Sequence, residues 1–377
     1  MSQISHTSKK TIAVFTSIEG HASLAEAVSQ AFDKVGYQVE VFSYEDPLFE
    51  IYRQIYIHKP SLFSHIYRAS NNNAFENLSK LVIKSKSSYS RKVEKFIQTV
   101  RPNALISTYF GFNPTLEKIS NKQNIPFFNL VCNPHTISYM EVAKKANCNF
   151  VFDQHASQQV AQIKPQATTR AIGWLVRDSY EKSYNQKNLR KQLGLQPNLT
   201  TLFFVSGSEG TNTIWETLDP LMHSLCPAQI IVACGRNKAM FGRLQLLQAE
   251  LEANNSSIQL VVLPFTDSSP FIKAADLVIG KAGPNTLFEA VAAHKPFFAT
   301  THISGQEDGN LDIIRQNQLG WVEENPSYAL VKILNLLHNP KKLQEHSKSI
   351  AKMANYNKQS KQKLLEIVET AINNPSV

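Results

Sequence analysis

The most informative stretch of this chain reads GKAGPNTLFEA and runs from Gly280 to Ala290. The apolar run AADLVI precedes it and predicts a buried strand, whereas VAAHKP follows it and Pro296 ends the predicted helix. A strand, a turn of small residues and a helix start together favour an anion, because unpaired backbone N–H groups and the helix dipole act at the same spot. We therefore expect a phosphate at this turn, with a plain strand-to-helix connection as the alternative.

Apolar runs alternate with helical patterns along the whole chain, as in parallel sheets covered by helices. The first half contains the predicted strands TIAVFT, YQVEVFS, ALIST, FFNLV and NFVF, and the second contains TTLFFVS, QIIVAC, IQLVVL, DLVIG and PFFAT. Between the two sets, the segment from Gly173 to Asp178 lacks a helical period and predicts a hinge. We therefore predict two Rossmann-like, doubly wound α/β domains that face a central cleft at the carboxyl ends of their strands.

Composition places the chain among ordinary globular proteins. Its 377 residues are 42% hydrophobic and 18% charged, which suits two domains with cores of their own. No run of about 18 apolar residues occurs and the N-terminus lacks an apolar signal core, so we expect a protein inside the cell. Four cysteines without a C-x-x-C spacing predict reduced core residues, not a zinc site or a disulfide framework: Cys132, Cys148, Cys226 and Cys234.

Positive charge is concentrated in the first half of the chain. The formal net charge is +9, and residues 1–172 hold 19 Lys and Arg against 12 Asp and Glu. From Pro47 to Arg101, aromatic and aliphatic residues interleave with basic ones, and the part from Lys80 onward contains one acid, Glu94. Such a segment predicts binding to an anionic membrane surface. A buried helix pair with a solvated basic face and a nucleic-acid surface are the alternatives.

A histidine stands at the start of the first predicted helix. Gly20 permits a sharp turn after the first strand, and His21 follows it. The dipole at a helix N-terminus favours the neutral form of the ring, which suits a general base or a hydrogen-bond donor. A polar capping residue is the alternative interpretation.

Three further loops follow predicted strands and carry polar residues. The loop SGSEG is able to wrap an oxyanion but is not a Walker loop, because no G-K-[ST] follows it. The loop CGRNK suits a base or a phosphate, and the carboxylate and carboxamide groups of THISGQEDGN suit a sugar, with a polar surface loop as the alternative. The candidate binding residues in these loops are Gly207, Ser208, Glu209, Gly210, Arg236, Gln306, Glu307 and Asn310.

The motifs CGRNK, KAGPNTLFEA and SGQEDGN, in this order and spacing, resemble the family 28 glycosyltransferases, and most closely the monogalactosyldiacylglycerol synthases and the processive diacylglycerol glucosyltransferases. GWLVRDSY is similar to the G-x-x-V-R-x-x-F junction of the family, EGHASLAEA to its glycine-rich loop, and VCNPHTISYM to its TD segment with a following His. The resemblance covers nearly the whole chain. It implies a GT-B fold with an acceptor domain at 1–172, a UDP-sugar domain at 173–354, and a last helix within 355–377 that crosses back to the first domain.

The resemblance also implies roles for the site residues. The turn at Gly283 and the helix start would meet the donor diphosphate, Glu289 would bind the ribose hydroxyls, and Arg236 would lie near the uracil. Gln306 and Glu307 would contact the donor sugar. The complete donor site expected from the resemblance consists of Gly207, Ser208, Glu209, Gly210, Arg236, Gly283, Pro284, Asn285, Thr286, Glu289, Gln306, Glu307 and Asn310.

Two departures from the family concern the catalytic base. The glycine-rich loop has Glu19 and one glycine, Gly20, in place of three glycines, and Asn133 stands where the family has an aspartate. An asparagine cannot accept a proton near neutral pH. His21 is therefore the first candidate for the base and His135 the second.

The expected reaction is an inverting transfer of a hexose from UDP-glucose or UDP-galactose to a lipid, most simply diacylglycerol. No D-x-D occurs in the chain, so we expect no metal and no other cofactor. The expected partners are the UDP-sugar, the lipid and an anionic membrane, not nucleic acid, and the expected location is the cytoplasmic, inner face of a membrane. The alternatives are a lipid II-type N-acetylglucosaminyltransferase, a UDP-N-acetylglucosamine epimerase, and a catalytically degenerate homologue that binds nucleotide or lipid.

Overall fold

A computed structural model of the protein describes residues 9–18, 20–45, 65, 67, 87–205 and 214–374. The chain divides into two compact units. The first, unit 1, is Met1–Arg177 together with Gln359–Val377, and the second, unit 2, is Asp178–Lys358. The last helix thus belongs to unit 1.

Twelve strands and fourteen α-helices are found in the described ranges. The strands are β1 (Thr11–Thr16), β2 (Gln38–Ser43), β3 (Ala104–Ser107), β4 (Phe127–Leu130), β5 (Cys148–Val151), β6 (Thr169–Ala171), β7 (Thr201–Val205), β8 (Ala228–Ala233), β9 (Ile258–Leu263), β10 (Leu277–Lys281), β11 (Phe297–Thr301) and β12 (Gly320–Val322). The helices are α1 (Gly20–Lys34), α2 (Ser87–Val100), α3 (Asn113–Gln123), α4 (Gln154–Ile163), α5 (Asp178–Glu181), α6 (Gln186–Gln192), α7 (Trp215–Met222), α8 (Lys238–Ala253), α9 (Ser269–Ala274), α10 (Pro284–Ala292), α11 (Asp308–Gln316), α12 (Pro326–His338), α13 (Ser347–Lys358) and α14 (Ser360–Asn373).

Unit 1 contains a six-stranded parallel sheet in the order β2-β1-β3-β4-β5-β6. Its four inner strands, β1, β3, β4 and β5, are short and mainly apolar runs whose side chains are buried on both faces, as expected for a parallel sheet with helices on each side. The strand order reverses between β1 and β3, and ligands of such sheets bind at the carboxyl ends of the strands at that point. The fold therefore directs attention to the loops that follow β1, β3 and β4.

Unit 2 repeats the arrangement with the order β12-β11-β10-β7-β8-β9, again all parallel. Its central strands β7 and β10 approach each other closely at Gly280. A Cβ atom at this position would lie 2.5 Å from the carbonyl oxygen of Val205, which is shorter than any real contact. Glycine is thus required by space at the end of β10, directly before the turn that begins α10.

These sheets confirm the predicted α/β class and all ten predicted strands. Two strands were missed, β6 and β12, and each is a three-residue strand at a sheet edge. Strand β6 (Thr169–Ala171) lies just before the predicted hinge at Gly173 to Asp178. Gly173 itself has a positive φ of 93°. A hinge motion there stays a prediction.

The basic segment is described only in its last part. Residues 47–64, 66 and 68–86 of the predicted membrane surface lie outside the described residues. Helix α2 packs Val93 and Ile97 into the core of unit 1 and leaves Arg91, Lys92 and Lys95 exposed. In this part, one core helix carries a solvated basic face, and both the membrane surface and the buried helix pair stay predictions.

Within the described ranges, no helix combines the length and the apolar character needed to cross a membrane. The four cysteines are free, and three of them are buried as predicted. Cys132 differs because it is only half-buried and lies in the loop after β4, beside the polar groups described below.

Candidate functional site

Helix α10 begins at the turn within the GKAGPNTLFEA stretch. Gly283 is its N-cap, with an ordinary φ of −71° and ψ of 137°, and Pro284 occupies the first helical position. Proline suits that position because its fixed φ matches the helix and its missing N–H would have no intrahelical partner. A glycine N-cap supplies no side-chain oxygen of its own to the helix start. The turn thus has the geometry of an anion site.

A buried ion pair lies directly at this helix start. The ammonium of Lys281, the last residue of β10, donates to Oε1 of Glu307, whose side chain is almost fully buried. The backbone N–H of Ile303 donates to Oε2 of the same carboxylate at 2.7 Å. A Cβ atom at Gly283 would lie 3.3 Å from Nζ of Lys281 and 3.7 Å from Oε1 of Glu307. The ion pair therefore lies in close contact with the Gly283 turn.

The loop after β11 is held in place by its own polar residues. Asn310 is buried, and its Nδ2 donates to the carbonyl of Ala282 at 2.7 Å, which ties the start of α11 to the turn before α10. Its Oδ1 finds no donor in the described part of the chain. Asp308 accepts from the backbone N–H of Gly305 at 2.7 Å and from Nε2 of His302 at 3.0 Å. The carboxylate of Asp308 is thus used to shape the loop.

His302 links this loop to the end of β12. While its Nε2 contacts Asp308, its Nδ1 contacts Oε1 of Glu324. A ring that meets a carboxylate at each nitrogen fixes the loop from two sides. The half-buried Gln306 lies on the same loop, and its N–H donates to the carbonyl of Ile303 at 3.1 Å.

An arginine and an aromatic ring lie together at the carboxyl ends of β8 and β9. The guanidinium of Arg236 stacks over the ring of Phe265 at 5.0 Å, and the Phe265 side chain is 63% exposed. Gly235 adopts a positive φ of 58°, which turns the chain sharply after β8 and places Arg236 at this edge. Asn237 then caps α8 by accepting from the N–H of Met240 at 2.9 Å. An exposed aromatic ring beside a guanidinium suits the face of a nucleobase.

The other predicted donor-site residues are placed as follows. Glu289 lies on the second turn of α10 and is buried, and Pro284, Asn285 and Thr286 form the half-buried first turn. Gly207, Ser208, Glu209 and Gly210 lie outside the described residues. The structure thus brings together the residues of the turn, of α10 and of the loop after β11, whereas Arg236 lies at the neighbouring strand ends. Their roles in binding stay predictions.

His21 in unit 1 has a defined tautomer. Its Nδ1 contacts the carbonyl oxygen of Thr108 at 2.6 Å, and since a carbonyl only accepts, Nδ1 carries the proton. The other ring nitrogen, Nε2, is then the basic one. Burial disfavours the charged ring and lowers the pKa of His21 to about 4, against the weaker raising effect of the Thr108 hydrogen bond. At neutral pH the imidazole is therefore uncharged and able to accept a proton.

The same carbonyl of Thr108 also accepts from the thiol of Cys132 at 2.9 Å. Burial and the nearby charge of Glu141 raise the pKa of Cys132 well above its ordinary value, so this thiol stays protonated. Thr108 follows β3 and Cys132 follows β4, and His21 follows β1. The carboxyl ends of three neighbouring strands thus supply one polar cluster, which is where an α/β unit binds its ligand.

Asn133 and Glu141 extend this cluster. Nδ2 of Asn133 donates to Oε1 of Glu141, and the backbone N–H of Ser138 donates to Oε2 at 2.8 Å. Both side chains are buried. Burial raises the pKa of Glu141 to about 7, although hydrogen bonds from Ser138, Asn133 and Tyr67 act in the opposite direction. The buried carboxyl therefore titrates near neutral pH.

The second candidate base, His135, is engaged elsewhere. Its Nε2 contacts Oδ2 of Asp153 at 2.8 Å, and the same Asp153 caps α4 by accepting from the N–H of Ala156. Burial alone would raise the pKa of Asp153, but its hydrogen bonds to His135 and Ala156 and the nearby histidines make the net shift downward. His135 thus lies in a helix-capping arrangement, and not in the group that shares the Thr108 carbonyl.

Three residues of these sites were missed in the sequence. Lys281 stands inside the quoted motif, but its partner follows 26 positions later, so no local pattern signals the pair. Phe265 comes directly after β9, where an exposed aromatic at a strand end was the available signal. Glu141 belongs to an S-x-x-E capping box with Ser138, a pattern that is visible in the sequence but indicates only a helix start.

Metal-ligand clusters are not found in the parts of the chain that the structure covers, which contain no group of three or more His, Cys, Asp or Glu side chains suited to an ion. The expectation that the reaction needs no metal is a separate matter and stays a prediction.

Solved structures share the architecture of this chain. MurG from Acinetobacter baumannii matches with a TM-score of 0.62 at 16% identity, over 96% of this chain and 99% of that one. Sucrose-phosphate synthase from Thermosynechococcus elongatus matches with a TM-score of 0.63 at 13% identity, over 98% of this chain and 100% of that one. These likenesses concern the fold, and they confirm the predicted α/β GT-B fold.

A family match covers most of unit 2 and part of the last helix. Residues 201–371 match the glycosyltransferase family 28 C-terminal domain. Monogalactosyldiacylglycerol synthase of Spinacia oleracea is 31% identical over 209 residues, and monogalactosyldiacylglycerol synthase 1 of Arabidopsis thaliana is 32% identical over 195 residues. Residues 201–371 thus resemble a family 28 glycosyltransferase domain, and the predicted resemblance to this family and to monogalactosyldiacylglycerol synthases is confirmed.

The match to these relatives is partial in length. It includes 53% of this chain but 36% of the spinach protein, and 49% of this chain but 33% of the Arabidopsis protein. The chain thus aligns with about a third of the length of these curated relatives.

Proposed function

We propose that the protein is a glycosyltransferase that moves glucose or galactose from a UDP-sugar to a lipid hydroxyl, with diacylglycerol as the acceptor. The observation that carries the proposal is the start of α10, with Gly283 as its N-cap and the Lys281–Glu307 pair beside it, inside the part of the chain that matches the family 28 domain. The named relatives are synthases of a galactosyl diacylglycerol, which supports the lipid acceptor and the hexose.

Unit 2 would hold the donor. The N–H groups at the start of α10 and the ammonium of Lys281 would neutralise the diphosphate, and the charge that develops on departing UDP would be stabilised by the same groups. Arg236 and Phe265 would offer the uracil a flat face, and Glu289 would accept from the ribose hydroxyls. Such stabilisation acts mainly in the transition state, so it speeds bond cleavage.

Glu307 would exchange partners when the donor binds. Its carboxylate is bound by Lys281, and a diphosphate at the helix start would compete for that ammonium. Freed from part of this pair, the carboxylate becomes an acceptor for hexose hydroxyls, while the Ile303 N–H keeps Oε2 in place. Gln306 on the same loop supplies a carboxamide for a further hydroxyl.

Unit 1 would activate the acceptor. The fixed tautomer of His21 leaves Nε2 as the atom that removes the proton of the lipid hydroxyl. The oxygen would then attack the anomeric carbon from the face opposite to UDP, which inverts the configuration. General-base assistance of this kind contributes about two to four orders of magnitude in rate.

The membrane part of the proposal rests on the basic segment. The exposed Arg91, Lys92 and Lys95 of α2 continue the basic stretch that begins upstream, and such a face is attracted to anionic lipid. Vesicle sedimentation checks it: binding should require anionic lipid and weaken with salt. Binding that ignores both would remove the electrostatic part of the proposal.

The decisive assay incubates the full chain with UDP-glucose or UDP-galactose and vesicles that contain diacylglycerol. A glycolipid product supports the proposal and identifies the sugar. A free epimerised UDP-sugar would replace the proposal with an epimerase, and transfer only to a polyprenyl-linked acceptor would favour a lipid II-type enzyme. If neither donor is consumed, the transferase proposal is wrong.

A further inference from the structure

His302 joins two segments that are separate in the sequence. Its Nε2 lies 3.0 Å from Oδ1 of Asp308, at the start of α11, and its Nδ1 lies 2.5 Å from Oε1 of Glu324, just after β12. An ionised carboxylate only accepts hydrogen bonds, so the ring binds both carboxylates at once with a proton on each nitrogen. In this arrangement His302 is a cation between two anions.

We propose that His302 is a positioning residue for the donor hexose: anchored on Glu324, it holds the loop after β11 in the shape that presents Gln306 and Glu307 to the sugar. The inference rests on the proposed function, in which these two side chains bind hexose hydroxyls. His302 and Glu324 need no contact with the donor, because both act on it through the loop.

The turn before α11 is closed by Asp308. Its Oδ1 accepts both from the backbone N–H of Gly305 at 2.7 Å and from Nε2 of His302. Gly305 has a positive φ of 88°, a conformation that suits glycine and turns the chain sharply at this point. One carboxylate oxygen thus joins the histidine ring to the backbone directly before Gln306. A shift of this carboxylate would move Gln306 with it.

The backbone next to His302 also holds Glu307. The N–H of Ile303 donates to Oε2 of Glu307 at 2.7 Å, and the N–H of Glu307 donates to the carbonyl of Ile303 at 2.8 Å. These two hydrogen bonds tie the residues to each other in both directions. Because Ile303 directly follows His302, a ring that is fixed at two nitrogens also fixes the place from which Glu307 is held.

The outer anchor, Glu324, lies at the surface. Its side chain is 39% exposed, whereas that of His302 is 17% exposed. The segment that carries Glu324 is held by its backbone, because the N–H of Glu323 donates to the carbonyl of Ala299 at 2.9 Å and continues the pairing of β12 with β11. Removal of the Glu324 carboxylate should therefore leave the strand in place and release the ring on one side.

The test measures the affinities of the full chain for UDP, UDP-glucose and UDP-galactose by calorimetry. The decisive quantity is the ratio of the Kd of the UDP-hexose that the wild type transfers to the Kd of UDP, because a general loss of charge or stability near the site affects both ligands alike. E324A and H302A should each raise this ratio by about threefold to tenfold, the effect of about one lost hydrogen bond.

Two further variants test whether the effect passes through the ring. The side-chain amide of E324Q can accept from Nδ1 of His302 or donate to it, so this variant should keep the wild-type ratio. The double variant H302A/E324A should raise the ratio no more than H302A alone, because both substitutions break the same chain of contacts.

The matched control is E323A, which removes the neighbouring carboxylate, one that pairs with Lys332 at 2.6 Å. Its ratio should equal that of the wild type. An unchanged ratio in E324A, or additive effects of H302A and E324A, would overturn the inference, and E324A alone decides if H302A does not fold. A wild type that binds no UDP or transfers no hexose would instead refute the proposed function, so the two failures are distinguishable.

Discussion

Lys281 and Glu307 form an ion pair at the start of α10, where a Cβ atom added at Gly283 would lie 3.3 Å from the Lys281 ammonium. The Glu307 side chain is buried, whereas the Lys281 side chain is 20% exposed. If a diphosphate binds at this helix start, as proposed, it would compete with the Glu307 carboxylate for the Lys281 ammonium.

The first prediction concerns this lysine. K281M should weaken UDP binding by about tenfold or more, because a hydrogen bond to a charged group contributes about 1.5–3 kcal/mol. It should also reduce the salt dependence of binding. Calorimetry with UDP at two salt concentrations measures both quantities.

The control is K332M, which removes an exposed lysine of the same unit that pairs with Glu323. UDP affinity should be unchanged in this variant. Equal UDP affinities for the wild type and K281M would show that the ammonium does not meet the diphosphate.

The second prediction concerns the base. H21A should lower turnover at least tenfold and leave UDP affinity nearly unchanged, because it removes a group that acts on the acceptor and not on the donor. The measurement is glycolipid formation, with UDP calorimetry on the same samples. An unaltered rate would remove His21 from the mechanism and leave the acceptor cluster without its base.

The third prediction concerns the pH dependence of stability. The pKa of Glu141 is raised to about 7 from an ordinary 4.5, so the folded state holds this proton more tightly than the unfolded state. Its contribution is then fully present below pH 4.5 and is lost as the pH rises through 7. His21 acts in the opposite sense, because its pKa falls from 6.5 to about 4 and its contribution is lost as the pH falls through that range.

Urea denaturation of the wild type and E141Q separates the two groups. The free energy of unfolding of the wild type, relative to E141Q, should fall by on the order of 3 kcal/mol between pH 4.5 and pH 8, at about 1.36 kcal/mol per unit of pKa shift. A relative stability that stays constant, or that rises with pH, would contradict the raised pKa.

The fourth prediction concerns the strand that carries the site. G280A should lower the melting temperature, since its Cβ would be forced to within 2.5 Å of the Val205 carbonyl and separate β10 from β7. Overpacking of this kind costs about 1–3 kcal/mol. Thermal unfolding followed by circular dichroism gives the shift.

G242A is the matched control, because Gly242 lies in the middle of α8 and its added Cβ would meet nothing within 4 Å. It should be neutral or stabilising by up to about 1 kcal/mol, through better helix propensity. If both variants melt alike, the close approach of β7 and β10 is not a constraint on the fold.

The main strands could be predicted because each is an apolar run between turn signals. TIAVFT and IQLVVL coincide with β1 and β9 from end to end. Strands β6 and β12 have three residues each and half-buried or exposed side chains, so neither an alternating pattern nor an apolar run exists to indicate them. Their strand character comes from pairing with β5 and β11 at the sheet edges.

The sites were partly predictable for a related reason. His21 and the turn at Gly283 each lie at a helix start that follows a strand. Such local elements can be recognised in a sequence. The partners of Lys281 and Asn133 are set by how separate loops come together in space. The group that fixes the His21 tautomer is a backbone carbonyl, that of Thr108, and every residue has one, so no residue type could have indicated it.

Titration calorimetry of the full chain with UDP and with UMP tests the central claim most directly. If the start of α10 and Lys281 receive a diphosphate, UDP should bind at one site per chain and clearly more tightly than UMP, which lacks the second phosphate. An absence of heat with UDP, or equal affinities for UDP and UMP, would contradict a diphosphate site in unit 2.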